Sequence, residues 1–301
     1  MNEFELIDAV VAELGAAAAG ELVRVGPGDD ASITAVPAGM ALASSIDALV
    51  ADVHFPAAAG AELVGYRAMM VAASDLAAMG ADPGFALVAV TLEDADADWL
   101  RALARGFGRA ARALPLPLVG GNLARGPRTI AVSVHGFVLA EGALLRSGAR
   151  AGDSVFVTGT LGAAAAAVAR GGLDAMQNES DLDALAQRYF LPSARLGAGV
   201  ALRGFASSAI DLSDGLIQDL GHVCRASGVG AELDSARLPV ASGATLDQAL
   251  SGGDDYELCF TGRGDPPDLG VPVHRIGRIV SGSGVRVDGR PAGGGYQHFG
   301  R

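Results

Sequence analysis

Strand-like and helix-like segments alternate along almost the whole chain, and no other feature narrows its fold as far. Thr129 to Leu139 sets Ile130, Val132 and Val134 on one face, the pattern of a half-buried strand. Ala41 to Ile46 and Phe85 to Leu92 are short apolar runs that read as buried strands. Between them, Gly65 to Met79 has helical spacing. Trp99 to Leu114 reads as a second helix, with Arg101, Arg105, Arg109 and Arg112 along its polar side. At the start, Asn2 followed by Glu5 suits a capping box ahead of the helical spacing of Phe4, Leu6, Ile7, Val10, Val11 and Leu14. Residues 140–153, AEGALLRSGARAGD, form the best candidate boundary. A new strand follows, Ser154 to Thr158, then a Gly159-Thr160-Leu161-Gly162 turn and an Ala-rich helix. GxxG is read as a close strand-to-helix packing turn, since a dinucleotide fingerprint needs GxGxxG. Residues 171–188, with Asp174, Glu179, Asp181 and Asp183, read as a solvated acidic helix or loop. The alternation predicts α/β (α+β) layering, in two domains covering 1–142 and 143–301.

The basic residues add exclusions. All 22 are Arg, and the chain has no Lys. A lysine Schiff base, a Walker-A lysine and a protein-kinase β3 lysine are therefore ruled out. The net charge of −12 argues against a general nucleic-acid or anionic-membrane surface. The longest uncharged runs, 31–46 and 154–169, are 16 residues each, short of the ~18–20 needed to span a bilayer. The acidic, amphipathic start MNEFELIDAV is no signal peptide, so the expectation is a cytoplasmic protein. Cys224 and Cys259 sit in apolar surroundings and are expected to be buried free thiols.

The acids are unevenly placed. Asp29-Asp30, Asp47, Asp75, Asp211 with Asp214, and Asp254-Asp255 all occur in apolar or Gly/Ser-flanked settings. An unpaired buried carboxylate is very unfavourable, and without lysine its natural partner is a hard divalent cation. Mg²⁺ takes oxygen ligands and bridges carboxylates to phosphates. Small neighbours would let backbone N–H groups approach a polyphosphate, giving part of the 43 glycines a function. Taken singly, Asp75, Asp211 or Asp214 could equally be a helix N-cap, and each DD pair a turn.

The ordered set GPGDDAS, SSIDALVADVHF, GYRAMMVAASDLAAMGADP, GGNLARGP, RSGARAGD, AIDLSDGL and SGGDDYEL resembles the thiamine-monophosphate kinase family over nearly the whole chain. RYFLPSARLGAG and the ending GYQHF extend the likeness. The family belongs to the aminoimidazole-ribonucleotide-synthetase-like, or PurM-like, superfamily. The resemblance implies a homodimer of two-domain PurM-like subunits, with an N-terminal mixed-sheet dimerisation domain and a C-terminal α/β domain. It implies ATP-dependent phosphorylation of thiamine monophosphate to thiamine diphosphate, with several Mg²⁺ ions. By the same resemblance, Asp29, Asp30, Asp47, Asp75, Asp211 and Asp214 match metal- and phosphate-binding acids, and Ser45 and Asn122 join the metal group. Gly120, Gly121, Asn122 and Arg146 match nucleotide-binding positions. Ser213, with Asp211 and Asp214, falls near the transferred phosphate. His54, Phe55, Asp255, Tyr256 and Phe299 match positions around thiamine. His54 could instead be a structural histidine capping a strand, and Phe299 a packing anchor.

The chain departs from the family pattern in four places. Asn122 replaces a metal carboxylate, Ile46 a hydroxyl residue, Ala73 an asparagine and Asp254 a glutamate. Two rival readings remain. One is another PurM-like ATP-using enzyme, although the Cys or Lys that a selenophosphate synthetase needs near its N-terminus is missing. The other is a non-catalytic nucleotide-binding homologue, motivated by Ile46, Ala73 and Asn122.

Overall fold

The structure is a computed structural model and describes residues 3–139 and 141–298. Asn2, and with it the expected capping box, lies outside the described residues, as does Phe299. The first half contains α1 (Glu3–Leu14), β1 (Val23–Val25), β2 (Ile33–Thr34), β3 (Met40–Val50), α2 (Ala61–Ala78), β4 (Asp82–Leu92), α3 (Ala97–Ala113), β5 (Leu118–Arg125) and β6 (Thr129–Leu139). The second half contains β7 (Ser154–Thr158), α4 (Ala163–Arg170), α5 (Ala184–Phe190), α6 (Leu196–Ala201), β8 (Ser208–Asp211), α7 (Leu216–Ser227), β9 (Gly230–Leu233), α8 (Leu246–Ser251), β10 (Leu258–Gly262), β11 (Val273–Val280), β12 (Gly284–Val287) and β13 (Arg290–Ala292).

Four strands of the first half form a mixed sheet in the order β3-β6-β4-β5. β6 pairs antiparallel with both neighbours, and β4 runs parallel to β5. The β3–β6 register is unbroken from Met40↔Leu139 to Val50↔Thr129. Ile130, Val132 and Val134 are fully buried, as their alternation predicts. The expectation of a buried strand at Ala41 to Ile46 needs correction. β3 is an edge strand with one open face, and Ile46 on that face is 66% exposed. β3 also runs on through Asp47 to Val50, because alternation places the carboxylate on the side away from Ile46 without interrupting the ladder.

The second half holds a seven-stranded sheet in the order β13-β12-β9-β11-β7-β10-β8. It is antiparallel except where β12 lies parallel to β9. The helix α2 joins the two halves. It packs on α3 and β6 on one side and on α6 and β8 on the other. A helix covered all round must be apolar all round, and nearly every α2 residue is buried, Ala68, Ala72, Ala73 and Ala77 completely. Small residues set how closely it is approached. A Cβ on Gly106 of α3 would lie 2.1 Å from the Glu62 carbonyl oxygen, and one on Gly199 of α6 2.0 Å from that of Ala77. Part of the glycine excess therefore serves helix crossing rather than phosphate approach. The turn at Gly159–Gly162 is likewise a packing turn, since Gly162, at φ +87°, lies against the backbone of Ala249.

Candidate active site

Between the two sheets lies a cavity of about 710 Å³. Three carboxylates reach it from three elements: Asp47 from β3, Asp75 from the last turn of α2, and Asp211 from the end of β8. None of the three is a helix N-cap. Asp75 sits inside its helix, and the position before α7 is Gly215. Burial, then the neighbouring Asp75, pushes the Asp47 carboxyl from 3.8 up to about 6. Burial and the same Asp75 raise Asp211 further. Ser45, two residues before Asp47 on the same face of β3, donates its hydroxyl to Asp75 Oδ2 at 2.5 Å. No described Lys or Arg side chain pairs with these acids. A hard-oxygen donor set carrying uncompensated negative charge fits a divalent cation of the Mg²⁺ type.

Asp214 lines the same cavity from the loop between β8 and α7. The loop is shaped from below by Asp219. One oxygen, Oδ2, accepts from the backbone N–H groups of Ser213, Asp214 and Gly215 at 3.0–3.1 Å. Gln218 Nε2 donates to Asp214 Oδ2 at 2.9 Å. The segment 253–256 is tied to this loop, with Asp254 N–H donating to the Ser213 carbonyl and Tyr256 N–H to that of Leu212, both at 2.8 Å.

Aromatic and imidazole rings share the same cavity. His54, Phe55, Tyr189, Tyr256, Tyr296 and His298 line it. His54 lines the cavity and also closes a strand end. Its Nδ1 accepts from Val50 N–H at 3.0 Å, closing the end of β3, while its ring meets His298 across 5.1 Å. Burial, then His298, holds its imidazole below the ordinary range. Phe55 is buried in the wall. The DD pair sorts opposite to expectation. Asp255 turns away from the cavity to accept the Gly162 N–H at 2.8 Å, and burial pushes its carboxyl well above the usual range. Asp254 faces the cavity instead.

The remaining expected residues stand apart from this cavity. Asp29 and Asp30 are exposed in the loop before β2, where Asp29 Oδ1 accepts the Asp30 N–H. Gly120, Gly121 and Asn122 lie on the edge strand β5. Gly121 has a packing reason for its identity, because a Cβ there would fall 2.4 Å from the Val88 carbonyl oxygen at the irregular β4–β5 register. Arg146 is exposed, its carbonyl accepting from the hydroxyl of Ser227, the last residue of α7. Two of the departures from the family pattern also lie off the cavity, Ile46 on the open sheet face and Ala73 inside the α2 packing.

Sequence reasoning did not single out Arg67, Tyr189, Asp219 or Asp254 as a group. Arg67 is 2% exposed and lines the cavity. It donates to both Asp254 oxygens at 2.8 Å and to the Tyr189 carbonyl at 2.7 Å. The available signal was the lone arginine of a largely apolar, alanine-rich helix, which demands a buried partner.

Two sheets sharing one central helix, with acids gathered between them, place the chain among the AIR synthase related proteins. The family model described as "AIR synthase related protein, N-terminal domain" matches residues 28–138, and the corresponding C-terminal domain model matches 150–263. Within that class, the thiamine-monophosphate kinase of Salmonella typhimurium (strain LT2) is 42% identical over 92% of each chain. That of Aquifex aeolicus is 34% identical over 84% of this chain and 86% of its own. The crystal structure of thiamine-monophosphate kinase from Stenotrophomonas maltophilia K279a superposes with a TM-score of 0.86 at 38% identity, covering 97% of this chain and 98% of that one. A chain described as "AaThiL complexed with AMPPCP and TMP" gives 0.80 at 32% identity over 99% and 97%. This chain belongs to the thiamine-monophosphate kinase family.

Proposed function

We propose that this chain transfers the γ-phosphoryl group of ATP directly to thiamine monophosphate, giving thiamine diphosphate and ADP. The observation that carries the reading is one cavity lined both by Asp47, Asp75 and Asp211 and by aromatic rings. A ring substrate bearing a phosphate matches that combination. Asp47, Asp75, Asp211 and Asp214 would hold Mg²⁺, with Ser45 orienting Asp75. When bound, Mg²⁺ neutralises phosphate charge and favours in-line displacement. The phosphate oxygen of the acceptor is already a competent nucleophile near pH 7, so the aspartates act as ligands and carry no proton. Asp219 keeps the Ser213–Gly215 backbone in place, which presents Asp214 and the Ser213 hydroxyl to the reacting phosphates. The aromatic rings exclude water and orient the ring system.

In the same reading, Asp29, Asp30, Gly120, Gly121, Asn122 and Arg146 serve the nucleotide and its further metals. They complete the site across a homodimer made through the open face of β3, β6 and β4. The exposure of Leu42 and Ile46 on that face supports the pairing. Residues 1–142 and 143–301 are taken as the two domains. No helix among the described residues is long and apolar enough to cross a membrane, and we place the protein in the cytoplasm. The test offers the purified chain ATP, Mg²⁺ and, in turn, thiamine monophosphate, free thiamine and formylglycinamidine ribonucleotide. Phosphorylation of thiamine monophosphate alone is expected. Turnover of the ribonucleotide instead would favour a synthetase of the same superfamily.

A further inference from the structure

Behind the acids of the cavity stands a hydroxyl without a full partner. Ser74 lies in α2 one residue before Asp75 and is 0% exposed. Its Oγ completes no hydrogen bond among the described residues. A serine inside a helix can turn its hydroxyl back onto the carbonyl four residues earlier, here that of Met70, and Ser74 does not. Buried polar groups are nearly always bonded, so an orphan calls for a reason. Helix packing supplies none. Ala72, Ala73, Ala77 and Ala78 surround Ser74 in sequence, and alanine at 74 would be the better helix former with no hydroxyl to satisfy. The neighbouring acids do supply one. α2 packs on β8, whose last residue is Asp211. Burial, then Asp75, raises the Asp211 carboxyl, and the Ser74 hydroxyl pulls it back toward the ionised form. Asp75 and Asp211 line the cavity, whereas Ser74 does not. The arrangement repeats the one that Ser45 makes from β3, where a serine hydroxyl donates to Asp75 Oδ2.

We propose that Ser74 is a positioning residue of the metal set, its hydroxyl donating to the Asp211 carboxylate and turning that group toward a divalent cation. The proposal rests on the Mg²⁺ part of the kinase reading and adds to it a residue that touches neither cation nor phosphate. Donors of this kind hold a ligating carboxylate in aim. In the metal-free chain the hydroxyl is unfavourable, since it is buried without a full partner. With the cation bound, the carboxylate is ionised and fixed, and the hydroxyl gains its acceptor. Ser74 therefore lowers the stability of the metal-free fold and raises its affinity for the cation. A side chain that only filled space would do neither.

The test compares the full chain with its Ser74→Ala variant by differential scanning fluorimetry at pH 8, first in chelator and then across a titration with Mg²⁺ alone. In chelator Ser74→Ala should melt at the wild-type temperature or above it. The Mg²⁺ concentration that gives half the full melting shift should rise about tenfold or more, the loss that follows removal of a ligand's outer partner. In turnover with ATP, the variant should need about tenfold more Mg²⁺ for its half-maximal rate. Its KM for thiamine monophosphate at saturating Mg²⁺ should stay within about twofold of wild type. A half-shift concentration within about twofold of wild type overturns the proposal. So does a variant that melts clearly below wild type in chelator, because Ser74 would then be a packing residue. A wild type that Mg²⁺ does not stabilise overturns it as well. A wild type stabilised by Mg²⁺ that forms no thiamine diphosphate would instead remove the kinase reading and leave the role of Ser74 standing.

Discussion

Replacing Asp47 by Asn should make the metal-free protein more stable while making it a worse enzyme. In the fold the Asp47 carboxyl is raised from 3.8 to about 6, by burial and then by Asp75. Folding therefore favours its protonated form. The penalty vanishes only well below the unfolded value of 3.8, where folded and unfolded chains are both protonated. The penalty grows as pH rises from 3.8, and it is complete above about 6. Raising the carboxyl from 3.8 to about 6 corresponds to about 3 kcal/mol. An Asn of nearly the same shape escapes that penalty, and among the described residues no donor bonds the Asp47 carboxylate that Asn would forfeit. For a chain of this length 1 kcal/mol moves the melting temperature by about 2 °C. Differential scanning fluorimetry in chelator should thus find Asp47→Asn melting about 5 °C higher than wild type at pH 8, with the two converging at pH 4. Adding Mg²⁺ should narrow or reverse the order, because ligand at a hundred times its Kd stabilises the wild type by about 2.7 kcal/mol. A variant no more stable than wild type at pH 8 in chelator, or equally stabilised at pH 4, would refute the idea of a mutually repelling, cation-seeking set of acids.

Other outcomes follow from single contacts. Glu257→Gln leaves Arg188 and Arg195 without the carboxylate they share at 2.6–2.7 Å, and should cost about 3–5 kcal/mol in denaturant unfolding. Gly106→Ala forces a methyl to within 2.1 Å of the Glu62 carbonyl oxygen, so α2 and α3 must separate. Urea titration should show a loss of about 1–3 kcal/mol or more. Cys224, whose thiol burial pushes up to about 11, and Cys259, raised further by the same cause, should resist a thiol reagent at pH 8 until the chain unfolds.

Much of the frame was readable from side-chain period. β6 and β7 begin and end where alternation and an apolar run place them. α2 starts at Ala61 rather than Gly65, its first turn already buried through Ala61, Leu63 and Val64. Asp47, Asp75, Asp211 and Asp214 stood out since ionised groups are rare among apolar neighbours without a task. The orientation of the DD pair was not legible. Ordinary alternation says only that the two carboxylates point to opposite sides. The left-handed backbone at Gly253, Asp254 and Tyr256 decides which one enters the cavity. Arg67 and Asp254 are 187 positions apart, and no local pattern encodes such a pair. Asp219 is a similar case. It reads as an ordinary first-turn acid of α7, and its grip on three backbone N–H groups appears only when the loop folds back over it.

The central claim is that these carboxylates work through Mg²⁺ to phosphorylate thiamine monophosphate, and one measurement addresses it directly. The purified chain is incubated with ATP and thiamine monophosphate, with Mg²⁺ or with chelator, and products are separated after oxidation to fluorescent thiochromes. Thiamine diphosphate should form one-for-one with ADP when Mg²⁺ is present and should be absent with chelator. ATP binding without thiamine diphosphate, or product formation undiminished by chelator, would contradict it.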